Sequence, residues 1–326
     1  MTRRRDVLSS LGTMMAAPMA LGLAGLARAQ TDITKIYVGF PPGGLPDSVA
    51  RTVAAAVGRA LNGTAVVENR PGANGRLAAQ AVKNTPAGSN ALLVCPASAL
   101  VHLPHVYNDL GYDPFKDLAP VAQVCENAFA FAISGKLPPR SLAEWADYCR
   151  QNPDRATFGS PGQGSSPHFM GVTLAKALGV TMNHIPYRGN NFALTDTAGG
   201  HISGMVSTTG QLQAPHRNGQ MRILGVTSAQ RLAELPDVPT FAESGVPQLT
   251  LTEGTWVMAS TRMAQAMVDK VAASILDGLK DGTAVQALKA QADIAPLGPQ
   301  ALAERLRKDF DSRGAGIRAA GFKARQ

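Results

Sequence analysis

The sequence predicts an α/β protein built from two units, and three observations carry that prediction. Short apolar runs alternate with helix-length stripes that repeat near every fourth residue. A break falls at "QVCENAFAFAIS" (123–134), where two short apolar runs carry the chain into a second unit of the same kind. Aromatic residues make up only 5% of the chain while Ala and Gly abound, which favours helices packed closely on a sheet over an aromatic binding platform. At 326 residues, 45% hydrophobic and 17% charged, the chain is long enough for two domains and has the balance of a folded protein.

The first 29 residues read as an export signal. "TRRRDVLSSLG" supplies a charged start, "TMMAAPMALGLAGLA" a modestly apolar middle and Ala27-Arg28-Ala29 a small-x-small cleavage site before Gln30. Arg4-Arg5-Asp6-Val7-Leu8 fits the twin-arginine pattern. The apolar run is too short and glycine-rich for a membrane span, and no cysteine follows the cleavage site, so an exported, unanchored protein is expected in the periplasm. The formal charge of +8 falls to +5 after that cleavage, with 27 basic against 22 acidic residues remaining. In an exported protein this fits mild attraction of anionic ligands and not nucleic acid. Cys95, Cys125 and Cys149 allow one disulfide or none, and their spacing is not a zinc pattern.

Along the chain, "ITKIYVGF" alternates Ile36, Val38 and Phe40 as a strand does, and Val49, Val53, Val57 and Leu61 then form a helical stripe. "TAVVEN" is a second strand, followed by the loop "RPGANGR", a helix through "LAAQAVKN" and the strand "ALLVC", the rhythm of a parallel sheet with helices outside. In the second unit Ser141 and Glu144 form a capping box at the start of a helix. "RATFGS" is a strand, and in "SSPHFMGVTLAKALG" Ser166 is placed to cap a helix that Pro167 enters and Gly179 ends. "TMNHIPY", "HISGMVS" and "MRILGVTS" supply strands, and "TFAESG" a further capping box from Thr240 and Glu243. From "TWVMAS" onward a strand and two helices are expected to return to the first unit. No solenoid repeat is present.

The chemistry-bearing patterns for catalysis are weak. "GSPGQGSSPHF" places serines near His168 but is not the G-x-S-x-G elbow, and Gly162-Gln163-Gly164 lacks the third glycine and distant acid of a dinucleotide site. His102, His105, His184, His201 and His216 lie in no metal-binding pattern. What recurs is the corner. Pro41–Asp47 and Gly159–Pro167 each join a strand to a helix start through glycines. A helix start offers unpaired N–H groups and partial positive charge, and glycine lets backbone donors approach a ligand. In an open α/β sheet such corners line the ligand crevice.

Seven segments in this order resemble the Bug family, the TctC-like substrate-binding components of tripartite tricarboxylate transporters. They are "GFPPGGLPDSVAR", "VVENRPGANGRLAAQAV", "YDPFKDLAPVAQV", "FGSPGQGSSPHFMG", "HIPYRGNNFALTDTAGG", "VTSAQRLAELPDVPTFAESGVP" and the apolar stretch at Trp256. The resemblance implies a two-lobed, flytrap-like periplasmic-binding-protein fold (type II), each lobe a mostly parallel sheet flanked by helices. It implies lobe 1 at 30–127 plus 253–326, lobe 2 at 128–252, and a small carboxylate held in the cleft by backbone N–H groups and hydroxyls. Carried onto this sequence, the first lobe contributes Gly43, Gly44, Asp47 and Ser98. The second contributes Gly162, Gly164, Ser165, Ser166, His168, Tyr187, Asp196, Ser207 and Thr208.

The resemblance implies a monomer that hands its ligand to membrane transporter subunits, with no cofactor, metal or covalent chemistry. A ligand sensor docking on a receptor kinase ectodomain and a hydrolase using Ser166 are the competing readings. The chain departs from the family pattern in three places. Leu45 and Pro46 replace a small residue and Thr, which removes a hydroxyl and adds apolar bulk suited to a less polar ligand. Ser207 stands where Asp is frequent, and the prolines that usually follow the Trp256 strand are missing.

Overall fold

In β3 (Ala91–Pro96), Leu92 and Val94 face one apolar layer while Leu93 and Cys95 face another. Side chains alternate across a strand, so a continuous apolar run is what a strand covered on both faces requires. The computed structural model, which describes residues 33–280 and 282–319, places β3 inside a six-stranded sheet. Its other strands are β1 (Ile33–Val38), β2 (Thr64–Asn69), β4 (Leu118–Asn127), β10 (Glu253–Ser260) and β11 (Asp293–Leu297), in the order β11-β4-β10-β3-β1-β2. One face is covered by α1 (Leu45–Ala60), α8 (Gln265–Gly278) and α9 (Gly282–Lys289), with Val49, Val53 and Val57 packed in the same layer as Val268, Val271 and Ile275. The other is covered by α2 (Arg76–Lys83), α3 (Ser98–Val101) and α10 (Pro299–Ala319).

A second, five-stranded sheet has the order β7-β6-β8-β5-β9. It contains β5 (Phe129–Ser134), β6 (Thr157–Ser160), β7 (Asn183–Pro186), β8 (Gly204–Thr208) and β9 (Met221–Val226). The pattern "FAFAI" decides how it is covered. Phe129, Phe131 and Ile133 pack with Trp145 of α4 (Leu142–Gln151) and with Met170 and Leu174 of α5 (Ser166–Ala177). The small Ala130 and Ala132 face α6 (Asn190–Gly199) and α7 (Thr209–Arg217), through Ala193 and Leu212.

The α/β architecture of two lobes, each a sheet between helices, is therefore present, but both sheets are mixed where mostly parallel ones were expected. β1 is parallel to β2 and β3, and β6 to β7 and β8, while β10 opposes β3 and β4, β11 opposes β4, and β5 opposes β8 and β9. The reason is the crossing between lobes. β4 leads into β5 through the single residue Ala128, and β10 brings the chain back beside β4, so outgoing and returning strands are opposed, with Asn127 level with Glu253.

Local punctuation is mostly as the residues dictate. Ser141 Oγ accepts from the Glu144 N–H, and Gly179, at φ +62°, follows the end of α5. The α5 cap is Ser165 and not Ser166: Ser165 Oγ accepts from His168 N–H, three residues on, and Ser166 is already the first helical residue. Thr240 and Glu243 do exchange hydrogen bonds, but they close a turn and no α-helix starts there. Among the described residues after Trp256 there are three helices and an additional strand, β11, where two helices were expected. The three cysteines are free and buried, so there is no disulfide. The export-signal reading falls outside the described residues.

Gly171 of α5 lies directly against Phe158 of β6, since a Cβ there would overlap the ring of that fully buried side chain. Gly171→Ala is expected to destabilise the protein by about 1–3 kcal/mol through overpacking, read as a lower urea midpoint at unchanged slope.

Candidate functional site

The first corner is held by Asp47. Its Oδ2 accepts from the Gly43 N–H and from Arg51 Nε, both at 3.0 Å, and its Oδ1 accepts from Asn69 Nδ2 at 2.9 Å and Arg51 Nη2 at 3.0 Å. Asn69 Nδ2 also donates to the Phe40 carbonyl. One buried carboxylate thus ties the loop, the start of α1 and the end of β2 together. Burial alone would raise its pKa, but the bonds from Arg51, Gly43 and Asn69 outweigh that and hold it below the usual carboxylate range. With the loop so braced, Gly44 caps α1 and Leu45 and Pro46 form its first turn.

In the second lobe three helices begin near one another. Ser165 caps α5, Gly189 precedes α6 and Thr208 precedes α7. Gln211 joins the last two starts: its Oε1 accepts from Asn190 Nδ2 at 2.8 Å and Ser207 Oγ at 3.0 Å, and its Nε2 donates to Asn191 Oδ1 at 3.3 Å. The first turns of α1, α5, α6 and α7 all line one cavity of about 370 Å³ between the lobes. Its remaining wall is largely apolar, with Phe40, Pro41, Pro42, Pro96, Phe129 and Phe192. No Lys, Arg or His is among the described residues that line it. A small anion there would meet four helix starts and no cation.

One acid does line the cavity. Glu253, the first residue of β10, is only 8% exposed, and its Oε1 accepts from the Ser98 N–H at 2.8 Å and from Ser166 Oγ at 2.9 Å. Ser98 belongs to the first lobe and Ser166 to the second, so this carboxyl bridges them. Burial pushes its pKa up, against the pull of the Ser98 and Ser166 bonds and of Arg313 through space. Further cross-cleft contacts are Asn74 Nδ2 and Tyr107 Oη to the Gln163 carbonyl, each 3.4 Å, and the edge-on packing of His102 on Phe169. Asn74 is reached through Ala73, and both residues have positive φ (+47° for Ala73, +54° for Asn74), a conformation that costs non-glycine residues on the order of 1–3 kcal/mol.

Of the residues singled out from sequence, Gly44, Ser98, Ser165 and Thr208 line the cavity. Ser166 stands behind its wall on Glu253, and Ser207 behind it on Gln211. Gly43 and Asp47 brace the first loop. Gly162, Gly164 and His168 brace the second: the Gly162 carbonyl accepts from Ser165 Oγ, and Gly164 N–H donates to His168 Nδ1, whose ring stacks on His184 at 3.9 Å. Tyr187 Oη donates to Asp196 Oδ2 at 2.7 Å, and burial with that bond pushes the phenol up to about 12. Neither of these two lines the cavity.

Ser166 Oγ also lies 3.4 Å from His102 Nδ1, but Glu253 receives the serine hydroxyl itself and does not orient the imidazole, unlike a nucleophile–base–acid relay. Burial lowers the His102 pKa to about 3. Sequence reasoning missed Asn74, Asn190, Gln211 and Glu253. A legible signal existed for Glu253 alone, an acid opening an otherwise uncharged strand, "EGTWVMAS".

With this geometry in hand, similarity to known proteins is informative. The pattern of the "Tripartite tricarboxylate transporter family receptor" matches residues 49–316. A UPF0065 protein of Bordetella bronchiseptica is 34% identical over 262 residues, 79% of this chain and 77% of its own. The solved periplasmic binding protein BugD superposes with a TM-score of 0.84 at 28% identity, over 90% of this chain and 99% of its own. The R. palustris protein Rpa4515, solved with adipate, superposes with a TM-score of 0.83 at 26% identity, over 90% and 98%.

The Asp47 brace has a pH signature. A carboxyl whose folded pKa is depressed adds stability above its unfolded value, and that stability is lost as pH falls through the folded value. Asp47→Ala is expected to cost about 1–3 kcal/mol at pH 7 and less at a pH below the ordinary carboxylate range, where the unfolded chain's Asp47 has taken up a proton and the advantage of its depressed folded pKa is being lost. Urea unfolding of both proteins at the two pH values checks this; an equal loss at both would show that the brace does not depend on charge.

Proposed function

The chain belongs to the tripartite tricarboxylate transporter family of receptors, and from that premise we propose that it captures a small carboxylate between its lobes in the periplasm and delivers it to membrane transporter subunits. The observation that carries this reading is the meeting of four helix starts, one from the first lobe and three from the second, around a partly open cavity with no cation among its described lining residues. Adipate in the related R. palustris structure supports the ligand class.

The energetics require closure. One helix start contributes about 0.3–1 kcal/mol toward an anion, whereas micromolar affinity needs roughly 8 kcal/mol. Direct hydrogen bonds to the charged group, at about 1.5–3 kcal/mol each, and burial of the ligand's apolar part at about 25 cal/mol per Å² supply the difference. Both are available only when the two lobes meet around the ligand. The apolar wall at Phe40, Leu45, Pro46 and Phe192 suits a ligand with a hydrocarbon body. The crossing at Asn127–Phe129 and at Glu253 is where the chain would bend as the lobes part.

Gly44 lines the cavity, and a Cβ added to it would meet nothing closer than 3.9 Å, so the fold accepts a side chain there that takes ligand space. In a thermal-shift screen of mono- and dicarboxylates on the mature protein, at least one is expected to raise the melting temperature with concentration. Gly44→Val is expected to melt as the parent does yet bind that ligand at least tenfold more weakly by calorimetry. Unchanged affinity would remove the first-lobe corner from the site.

A further inference from the structure

The two sides of the cavity differ in what they can donate. On one side the start of α6 faces the loop before α1: a Cβ on Gly189 would lie 3.1 Å from Pro41, and one on Gly43 would lie 3.7 Å from Asn191 Nδ2. Asn190, Asn191 and Phe192, the first three residues of α6, all line the cavity, and Gly189 before them has no side chain to cap the helix. The first N–H groups of a helix have no acceptor within it, so these three need one from outside. On the other side the start of α5 faces Ser98 and Glu253, and its donors are largely spent. Pro167 has no N–H, the His168 N–H goes to Ser165 Oγ, and the Phe169 N–H goes to the Ser165 carbonyl. A hydroxyl carries one proton, and the three serines here all turn it into the protein. Ser165 donates to the Gly162 carbonyl, while Ser166 and Ser98 both donate to Glu253.

We infer that this cleft selects monocarboxylates with an apolar body over dicarboxylates, and that Glu253 is the residue that sets the preference. The inference rests on the carboxylate-binding reading and narrows it. The single carboxylate lies at the start of α6, and the apolar body fills the space beside Glu253 that Pro96, Phe129 and Pro167 line. A second carboxylate there would meet an acid that is itself only 8% exposed, and prolines that have no N–H to offer. Two carboxylates so placed cannot both stay ionised without cost, and one of them must take up a proton. Arg313 of α10 acts on Glu253 through space but is not among the described residues that line the cavity, so it offers that carboxylate no direct partner. A methyl group in the same place asks for no donor.

Adipate is hexanoate with its methyl exchanged for a carboxylate, and terephthalate is 4-methylbenzoate changed in the same way, so each pair isolates the second charge. All four are titrated calorimetrically at pH 7 into the parent protein and into Glu253→Gln, which keeps an oxygen for the serine donors and offers the cavity an amide. In a pair that binds, the parent is expected to hold the monoacid at least roughly tenfold more tightly than the diacid. In Glu253→Gln that ratio is expected to fall below about threefold. A diacid that binds the parent as tightly as its monoacid, or a ratio that Glu253→Gln leaves unchanged, overturns the inference. Should the variant not fold, the parent's ratios decide alone. Diacids that bind without the preference leave the carboxylate reading standing and remove only the inference. Failure of all four probes to bind the parent removes both.

Discussion

Glu253 Oε1 takes one hydrogen bond from each lobe, the Ser98 N–H from the first and Ser166 Oγ from the second, and the shape of the cleft depends on that bridge. The residue begins β10, level with Asn127 at the end of β4, so it stands where the chain passes between the two sheets. A carboxyl in such a place is expensive to bury and is tolerable only with donors aimed at it. Because those donors come from both lobes, parting the lobes removes one of them. The acid thus links the energetics of the wall to the relative position of the lobes, a coupling that a hydrophobic residue at 253 would lack.

Around that bridge the first turns of four helices line the cavity. Asp47 braces one helix start and Gln211 ties two others together. Side chains used in this way hold dipoles in place and do not supply charge to the cavity. A site of oriented N–H groups discriminates by shape and donor count, because a displaced ligand oxygen finds no mobile cation to follow it. The positive φ values at Ala73 and Asn74 fit the same logic. Local strain is accepted where it brings Asn74 onto the opposite lobe at Gln163.

What the sequence by itself determined was the set of local structures. "ALLVC" and "FAFAI" are strands because apolar residues on both faces of the chain need cover on both sides, and Val49, Val53 and Val57 make a helix stripe. The two glycine-rich corners announce helix starts through Gly44 and through Ser165-Ser166-Pro167. In each case the physics is confined to a few neighbouring residues. Even so, the choice of Ser165 over Ser166 as the α5 cap turned on geometry one residue wide.

Only the tertiary structure decided which of these residues meet. The mixed sheets follow from β4 and β10 crossing between lobes in opposite directions, which no local window contains. Gly43, Asp47, Gly164 and His168 proved to be braces, since the Gly43–Asp47 and Gly164–His168 bonds close their own loops and Asp47 also reaches Asn69 at the end of β2. Asn74, Asn190, Gln211 and Glu253 reached the cavity from segments as much as 179 positions apart in sequence. Helix starts and buried strands are short-range consequences of residue type. A cavity is made by chain segments whose only connection is that folding places them side by side.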